Sequence, residues 1–253
     1  MKYCLLIVFC LLILSGCTQS AHNKQNLAAQ PDKTNSYDDT FDEFEDEFSQ
    51  KQVIIYDPLQ PLNQVMFNVN DFLYLRVGKP VISGYAYIIP RPARIGVSNF
   101  FDNLLTPARF VNCILQGKCS AASGEVSRFA INTTIGILGF GDPALDKWNI
   151  KPSKEDLGQT LAVYGFGDGF YIVWPLLGPS TCRDSIGMGG DAFLNPVRYV
   201  KPVEASIGIS AFSITNEGSF HIGDYESFKS AALNPYIAMR ESYIQYRTKL
   251  ISE

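Results

Sequence analysis

The sequence predicts an all-α body, on three observations. Apolar residues recur at spacings of three and four along several stretches, beginning with Leu59, Leu62, Met66, Val69 and Leu73. Proline and glycine fall mostly where such stretches begin and end, as at Asp57-Pro58, Gly117 and Asn234-Pro235. The one long apolar run after the leader, Phe170 to Leu177, has no alternation and contains Pro175, so it suits neither a strand nor a regular helix.

With 253 residues, 46% of them apolar and 13% aromatic, the chain has ample material for a core. Charge is unevenly placed. Residues 18–50 hold eight Asp and Glu against two Lys, a net −6, whereas residues 51–253 hold seventeen acids and eighteen bases, a net +1. A near-neutral body lacks the basic surplus that nucleic acid requires, so DNA and RNA are excluded as partners.

Residues 1–16 read as a signal peptide: Met1-Lys2 precedes eleven consecutive apolar residues, Cys4 to Leu14, too few to span a bilayer. Leu14-Ser15-Gly16-Cys17 resembles the bacterial lipobox, which implies a diacylated Cys17 as the mature N-terminus and lipid anchor. Thr18, where inner-membrane retention uses Asp, favours the outer membrane by the same resemblance. Residues 17–52 then form an acidic tether, short of branched apolar residues and with roughly 30 Å of root-mean-square reach. Tyr37, Phe41, Phe44 and Phe48 fall at spacings of four, three and four within it. Two readings stay open there: a solvated tether, or a ring-bearing face that docks on a partner.

The body, residues 53–253, is expected to fold as a single helical domain. Asp57 as N-cap and Pro58 at N1 start a helix with a greasy face and a second face of Asn63, Phe67 and Asn70. Pro80, Pro90 and Pro92 break the next segment. Ala93 to Gly117 reads as a helix that Pro107 kinks or divides, closed by Gly117. Ser120 to Thr133 and Asp156 to Gly165 are further helices. Phe170 to Leu177 is read as extended chain at the level of lipid headgroups, where Trp and Tyr sit. Ser180 or Thr181 caps a helix through Met188, and a C-terminal helical region breaks near Gly218 and at Asn234-Pro235. In its last helix Tyr236, Met239, Tyr243, Tyr246 and Leu250 form one stripe with Arg240 and Arg247 off it. No mature stretch approaches the roughly 18 uncharged apolar residues of a spanning helix.

The chain is organised around Arg128 to Asp142, RFAINTTIGILGFGD, where thirteen uncharged residues separate two charged ends. A connection in water is normally polar; this one sets Ile, Leu and Phe among Gly136, Gly139 and Gly141, which free the backbone. It is either a buried bend between core helices or a mobile hairpin lining a path for an apolar ligand.

Enzymatic machinery is not in view. His22 lies in the tether and His221 stands alone, and there is no G-x-S-x-G, H-E-x-x-H or G-x-x-x-x-G-K-[ST]. Cys113, Cys119 and Cys182 lack histidine partners, so no metal site is expected, and no cofactor is called for. Cys113 and Cys119, six apart across a Gln116-Gly117 turn, are a candidate disulfide in an oxidising envelope.

Six blocks in unbroken order from about residue 56 to 248 resemble the MlaA (VacJ) family of outer-membrane lipoproteins. They are Asp57 to Asp71; Pro90 to Leu104; Arg128 to Asp142; Glu155 to Gly165; Gly169 to Asp184; and Asn234 to Arg247. Asn234, Phe170 and the long acidic tether depart from the family pattern. The resemblance implies a ring-shaped bundle of amphipathic and broken helices, embedded in the inner leaflet of the outer membrane around a central amphipathic channel. Through that channel mislocalised phospholipid would leave the outer leaflet for a periplasmic phospholipid carrier, beside a trimeric porin and without any covalent step. Its expected channel residues are Asn63, Phe67, Asn70, Asn99, Phe100, Arg128 and Asn132, and its gate is the hairpin with Gly136, Gly139, Phe140 and Gly141. Stiffening that hairpin, as by Gly139→Pro, is then expected to impair lipid removal. The alternative is a porin-associated structural lipoprotein that moves no lipid.

Overall fold

The computed structural model describes residues 55–253; the signal peptide, Cys17 and the aromatic positions of the tether lie outside the described residues. The described residues form one compact unit. It is all-α apart from one small hairpin. Helix α1 spans Gln60–Leu73, a π-helical turn Tyr74–Gly78, α2 Lys79–Ile88, α3 Arg91–Leu104, α4 Thr106–Leu115 and α5 Cys119–Thr134. A single turn α6, Pro143–Asp146, and α7, Leu157–Val163, lead to strands β1, Tyr171–Trp174, and β2, Gly178–Thr181. Then follow α8 Cys182–Leu194, a 3₁₀ turn Pro196–Tyr199, α9 Val203–Gly218, α10 Asp224–Ala231 and α11 Pro235–Ser252.

Most helix ends lie where local chemistry puts them. Asp156, Thr181 and Asn234 each accept a backbone N–H three residues on, from Gln159, Asp184 and Ile237 respectively. Pro107 lies in the first turn of α4, so that Ala93–Gly117 is divided in two, and Gly117 at φ +73° closes the second half.

Four sequence expectations are corrected. The apolar run after Phe170 is a strand: Tyr171 pairs with Thr181 and Trp174 with Gly178, antiparallel, so the prolines sit at the tip and in the short edge strand β2. Asp57 does not cap α1, which starts at Gln60 behind Leu59. Its carboxylate turns inward instead, accepting from Asn63 Nδ2 at 2.9 Å, Tyr236 Oη at 2.5 Å and Arg240 Nη1 at 3.1 Å. Pro80 does not interrupt the helical path, because the π turn before it absorbs the lost hydrogen bond and α2 starts there. In α11, Tyr246 is half exposed while Arg247 is buried, the reverse of the expected stripe, because Arg247 reaches two aspartates on other elements.

The larger surprise is which faces are inside. The buried residues of α5 are Ala122, Glu125, Arg128 and Asn132, while Val126 and Phe129 point outward. In α1 Asn63 and Phe67 are buried and Leu62, Val65, Val69 and Phe72 are exposed; α9 buries only Asn216. Among the described residues sixteen polar side chains are buried against twelve apolar ones, and 38 large hydrophobic residues are exposed. Single exposed hydrophobics are ordinary, but whole helical faces of them are not.

The buried polar groups are tolerable because they are paired. Asn63 donates to Tyr171 O and accepts from Val173 N, both at 2.9 Å, so its amide fastens α1 to β1. Glu125 accepts from Arg109 Nε at 2.8 Å and from Ser153 N at 2.6 Å. Asn216 accepts from Tyr85 Oη at 2.7 Å and donates to Arg94 O at 3.1 Å. Four of the buried apolar residues, Phe67, Tyr171, Val173 and Tyr236, form one cluster at the junction of α1, the β-hairpin and α11.

Candidate functional site

The stretch Ile135–Asp142 forms a tight hairpin between α5 and α6. Ile137, Leu138 and Gly139 are all left-handed, at φ +55°, +57° and +90°. Left-handed backbone is unfavourable for a β-branched residue such as Ile137 and costs about 1–3 kcal/mol. A ladder of backbone bonds holds it: Leu138 N to Thr133 O at 2.9 Å, Gly139 N to Asn132 O at 2.8 Å and Gly141 N to Gly136 O at 2.8 Å. Glycine is required twice. A Cβ on Gly136 would lie 2.5 Å from both Asn132 O and Gly141 O, and one on Gly139 would lie 2.7 Å from the Asn103 side chain.

The hairpin lies on α3. Phe140 stacks on Phe100 with ring centroids 5.0 Å apart, and Asn99 Nδ2 donates to Phe140 O at 3.3 Å. Ile137 and Leu138 remain 75% and 63% exposed at the tip. Beneath it Arg128 Nη2 and Asn132 Nδ2 donate to the two oxygens of Asp142 at 2.7 and 2.8 Å, and Asp142 caps α6 through Leu145 N at 3.1 Å. Burial pushes the Asp142 carboxyl up, but these three donors together outweigh it and hold the group below the usual carboxylate range. A polar pit of about 10 Å³, room for about one water, opens among Asn99, Asp102, Asn103, Arg128 and Asn132. Two buried atoms on its wall, Arg128 Nε and Asn103 Oδ1, have no hydrogen-bond partner among the described residues.

The expected channel residues therefore divide between two places. Asn99, Phe100, Arg128, Asn132 and the hairpin residues meet at α3, α5 and the pit. Asn63, Phe67 and Asn70 meet at the β-hairpin, where Asn70 donates to Trp174 O at 2.9 Å and accepts from Leu176 N at 2.7 Å. The amides of Asn63 and Asn132 and two of the guanidinium nitrogens of Arg128 already hold backbone groups, Asp57 or Asp142. Phe67 and Asn70 line an apolar cleft of about 460 Å³ whose other walls include Leu73, Tyr74, Val77, Ile82, Ile214 and Met239. That cleft was not legible in sequence, because its walls come from positions some 170 residues apart, from Phe67 to Met239.

Two expectations change here. Cys113 and Cys119 are free thiols. The turn through Gly117 leaves Cys113 fully buried with Sγ 3.2 Å from Ser153 Oγ, and Cys119 exposed at the start of α5. Gly139→Pro would not stiffen the hairpin in this conformation, because proline's φ near −65° conflicts with +90° and removes the Gly139 N–H that bonds Asn132 O. Asn103 and Asp142 were missed as site residues, although Asp142-Pro143 carries the N-cap and N1 pattern that marks the first turn of α6.

Fold and surface define a class: an all-α body that buries amides and guanidinium groups, turns large apolar side chains outward, and has among its described residues no helix long and apolar enough to cross a membrane. The chain belongs to the MlaA lipoprotein family, whose model matches residues 55–250. It is 35% identical over 196 residues to the intermembrane phospholipid transport system lipoprotein MlaA of Escherichia coli (strain K12), covering 75% of this chain and 76% of that protein. It is 29% identical over 198 residues to the Haemophilus influenzae protein of the same name, with 75% and 76% covered. It is likewise similar to a solved structure from work on the structural basis for maintenance of bacterial outer membrane lipid asymmetry. That match has a TM-score of 0.65 and 28% identity, and covers 77% of this chain and 98% of the other.

Proposed function

We propose that this protein is a non-enzymatic lipoprotein that takes mislocalised phospholipid out of the outer leaflet of the outer membrane and passes it to a periplasmic phospholipid carrier. It would be anchored through Cys17, sit in the inner leaflet, and stand beside a trimeric porin. The observation that carries the reading is the inverted burial of α1, α5 and α9 in a chain related to intermembrane phospholipid transport lipoproteins. Apolar faces turned outward are stable only against hydrocarbon or a partner, since water would penalise them by about 25 cal/mol per Å². Embedding in one leaflet satisfies those faces without a spanning helix.

A phospholipid crossing such a body has two needs. Its headgroup needs polar partners in place of water, because burying it bare is costly, and its tails need an apolar wall. Asn99 with the polar pit and Phe100 with Phe140 offer the two side by side. The hairpin above them combines left-handed residues that favour another conformation with a docked face that opposes it, which suits a gate between two states. No bond is made or broken.

The hairpin can be locked for a test. A Cβ on Gly96 would stand 4.0 Å from Phe140 Cβ, within the range a disulfide spans. In cells carrying Gly96→Cys/Phe140→Cys as the sole copy, oxidation is expected to raise outer-leaflet phospholipid to the level of the deletion strain, and reduction to restore it. A headgroup-specific outer-leaflet probe reads both. Phospholipid that stays low with the disulfide formed would rule out the gate. Phospholipid unchanged even on deletion would leave the porin-associated scaffold without lipid transport.

A further inference from the structure

We infer that the apolar cleft beside the π turn holds one acyl chain of a glycerophospholipid drawn laterally from the surrounding leaflet, a binding site separate from the hairpin. The inference rests on the transport reading above. Protein interiors leave few voids, and an apolar concavity of about 460 Å³ lies in the size range of ligand sites rather than of packing defects. The π turn Tyr74–Gly78 is part of its wall and includes Gly78, which puts no side chain into the space. Such turns recur at functional sites.

Three features favour a hydrocarbon chain as occupant. The walls are apolar along their length, with Leu73, Val77, Ile82, Ile214 and Met239 facing the space. The cleft is continuous with the outward apolar surface, since its own wall residues Val77, Ile214 and Leu176 are 55%, 65% and 80% exposed. A chain already in hydrocarbon would enter without meeting water.

The third feature is the polar edge. Asp71, on the cleft wall, accepts from Tyr225 Oη at 2.7 Å and from Lys229 Nζ at 2.8 Å on each oxygen. An ammonium has three donors, so Lys229, bonded to the wall residue Asp71 from outside the lining and with its side chain 38% exposed, keeps one for a phosphodiester oxygen. The arrangement matches the charge order of a phospholipid, with tail inside and phosphate at the edge.

The test uses the full lipidated protein in phosphatidylethanolamine vesicles doped with a phosphatidylethanolamine whose acyl chain carries a photoactivatable diazirine. After irradiation, mass spectrometry maps the labelled residues. Labelling is expected at Leu73, Val77 and Met239. Val77→Trp, which fills the cleft from a half-exposed position, is expected to lower it roughly tenfold, the change that forfeiting about two buried methylenes gives. Labelling near Phe100 and Phe140 should persist in that variant and reports that it is folded; Ile214→Trp on the opposite wall serves if it is not. Label confined to the hairpin would overturn the inference and leave the transport reading intact. Label in neither place would overturn both. Cleft labelling that appears only after Cys17→Ala would assign the cleft to the protein's own anchor, and cleft labelling unchanged by either Trp would place the chain outside it; each also overturns the inference.

Discussion

Arg247 and Arg128 are both buried, and both are held by aspartate, yet they serve different regions. Arg247 gives Nε to Asp184 at 2.9 Å, Nη1 to Asp156 at 2.6 Å, and Nη2 to both carboxylates at 2.9 Å. It ties α11 to the N-terminal ends of α7 and α8, and Tyr243 Oη adds a further bond to Asp184 at 2.8 Å. Burial disfavours the charges of Arg247 and Asp156, but their pairing more than offsets it, raising Arg247 above its ordinary value and lowering Asp156 below. Arg128 uses Nη1 on Ile150 O and Nη2 on Asp142, and its Nε finds no partner among the described residues. Around Arg247 every guanidinium nitrogen has a partner. Beneath the hairpin some hydrogen-bonding capacity is spare, next to left-handed backbone and exposed Ile137 and Leu138. On the proposed function the first region is the frame and the second is the part that exchanges partners, as a gate on a rigid body requires.

The sharpest way to break that contrast is to remove the frame. Arg247→Met leaves the partly exposed Asp156 without its cation and the buried Asp184 with only Arg183, and is expected to lower unfolding stability by about 3 kcal/mol in chemical denaturation. A loss under about 1 kcal/mol would mean the junction is no frame. Asp142→Asn should act locally: one charge-assisted bond to Arg128 weakens, worth about 1.5–3 kcal/mol. Hydrogen exchange at Gly139 and Gly141 should quicken while α7, α8 and α11 keep their protection. Equal loss of protection in both regions would show that the hairpin does not move by itself.

Acid titration sharpens the same point. The folded Asp142 carboxyl ionises below its unfolded value of about 3.9, so its stabilisation is fully present above that pH and is lost as pH falls through the folded value. Hairpin protection is therefore expected to be flat from neutral pH to about pH 5, and to fall only under stronger acid. A midpoint near pH 6 would point to a different group. The smallest effect should come from Ile137→Ser/Leu138→Ser, which touches only the exposed tip and should move unfolding stability by no more than about 0.5 kcal/mol. Flotation with vesicles should nonetheless weaken, since those side chains have no protein core to serve.

Much of this was legible in advance. The glycine-bounded apolar stretch after Arg128 is the hairpin, and both of its charged ends, Arg128 and Asp142, meet under it. Phe100 and Asn99 both touch the hairpin, at Phe140. Asn63 was assigned to the same path, yet it is a buried clasp, because its partners at Tyr171 and Val173 are more than a hundred residues away and no local pattern reveals them. The Phe170 run failed as a strand on alternation, since alternation reports one wet face, and here Tyr171 and Val173 face the core cluster while Trp174 is exposed at the tip.

What the sequence by itself determined was where several helices begin or end, because caps, prolines and a left-handed glycine act within a few residues of chain. Asp156, Thr181, Asn234, Pro107 and Gly117 all work at that range. Which face of each helix points inward was decided only in three dimensions. Hydropathy assigns the greasy face to the core on the assumption that the outside is water. In α5 and α9 the inward face is largely polar, and in α1 Asn63 shares it with Phe67, because distant donors and acceptors satisfy the polar groups there while apolar side chains are left on the outside.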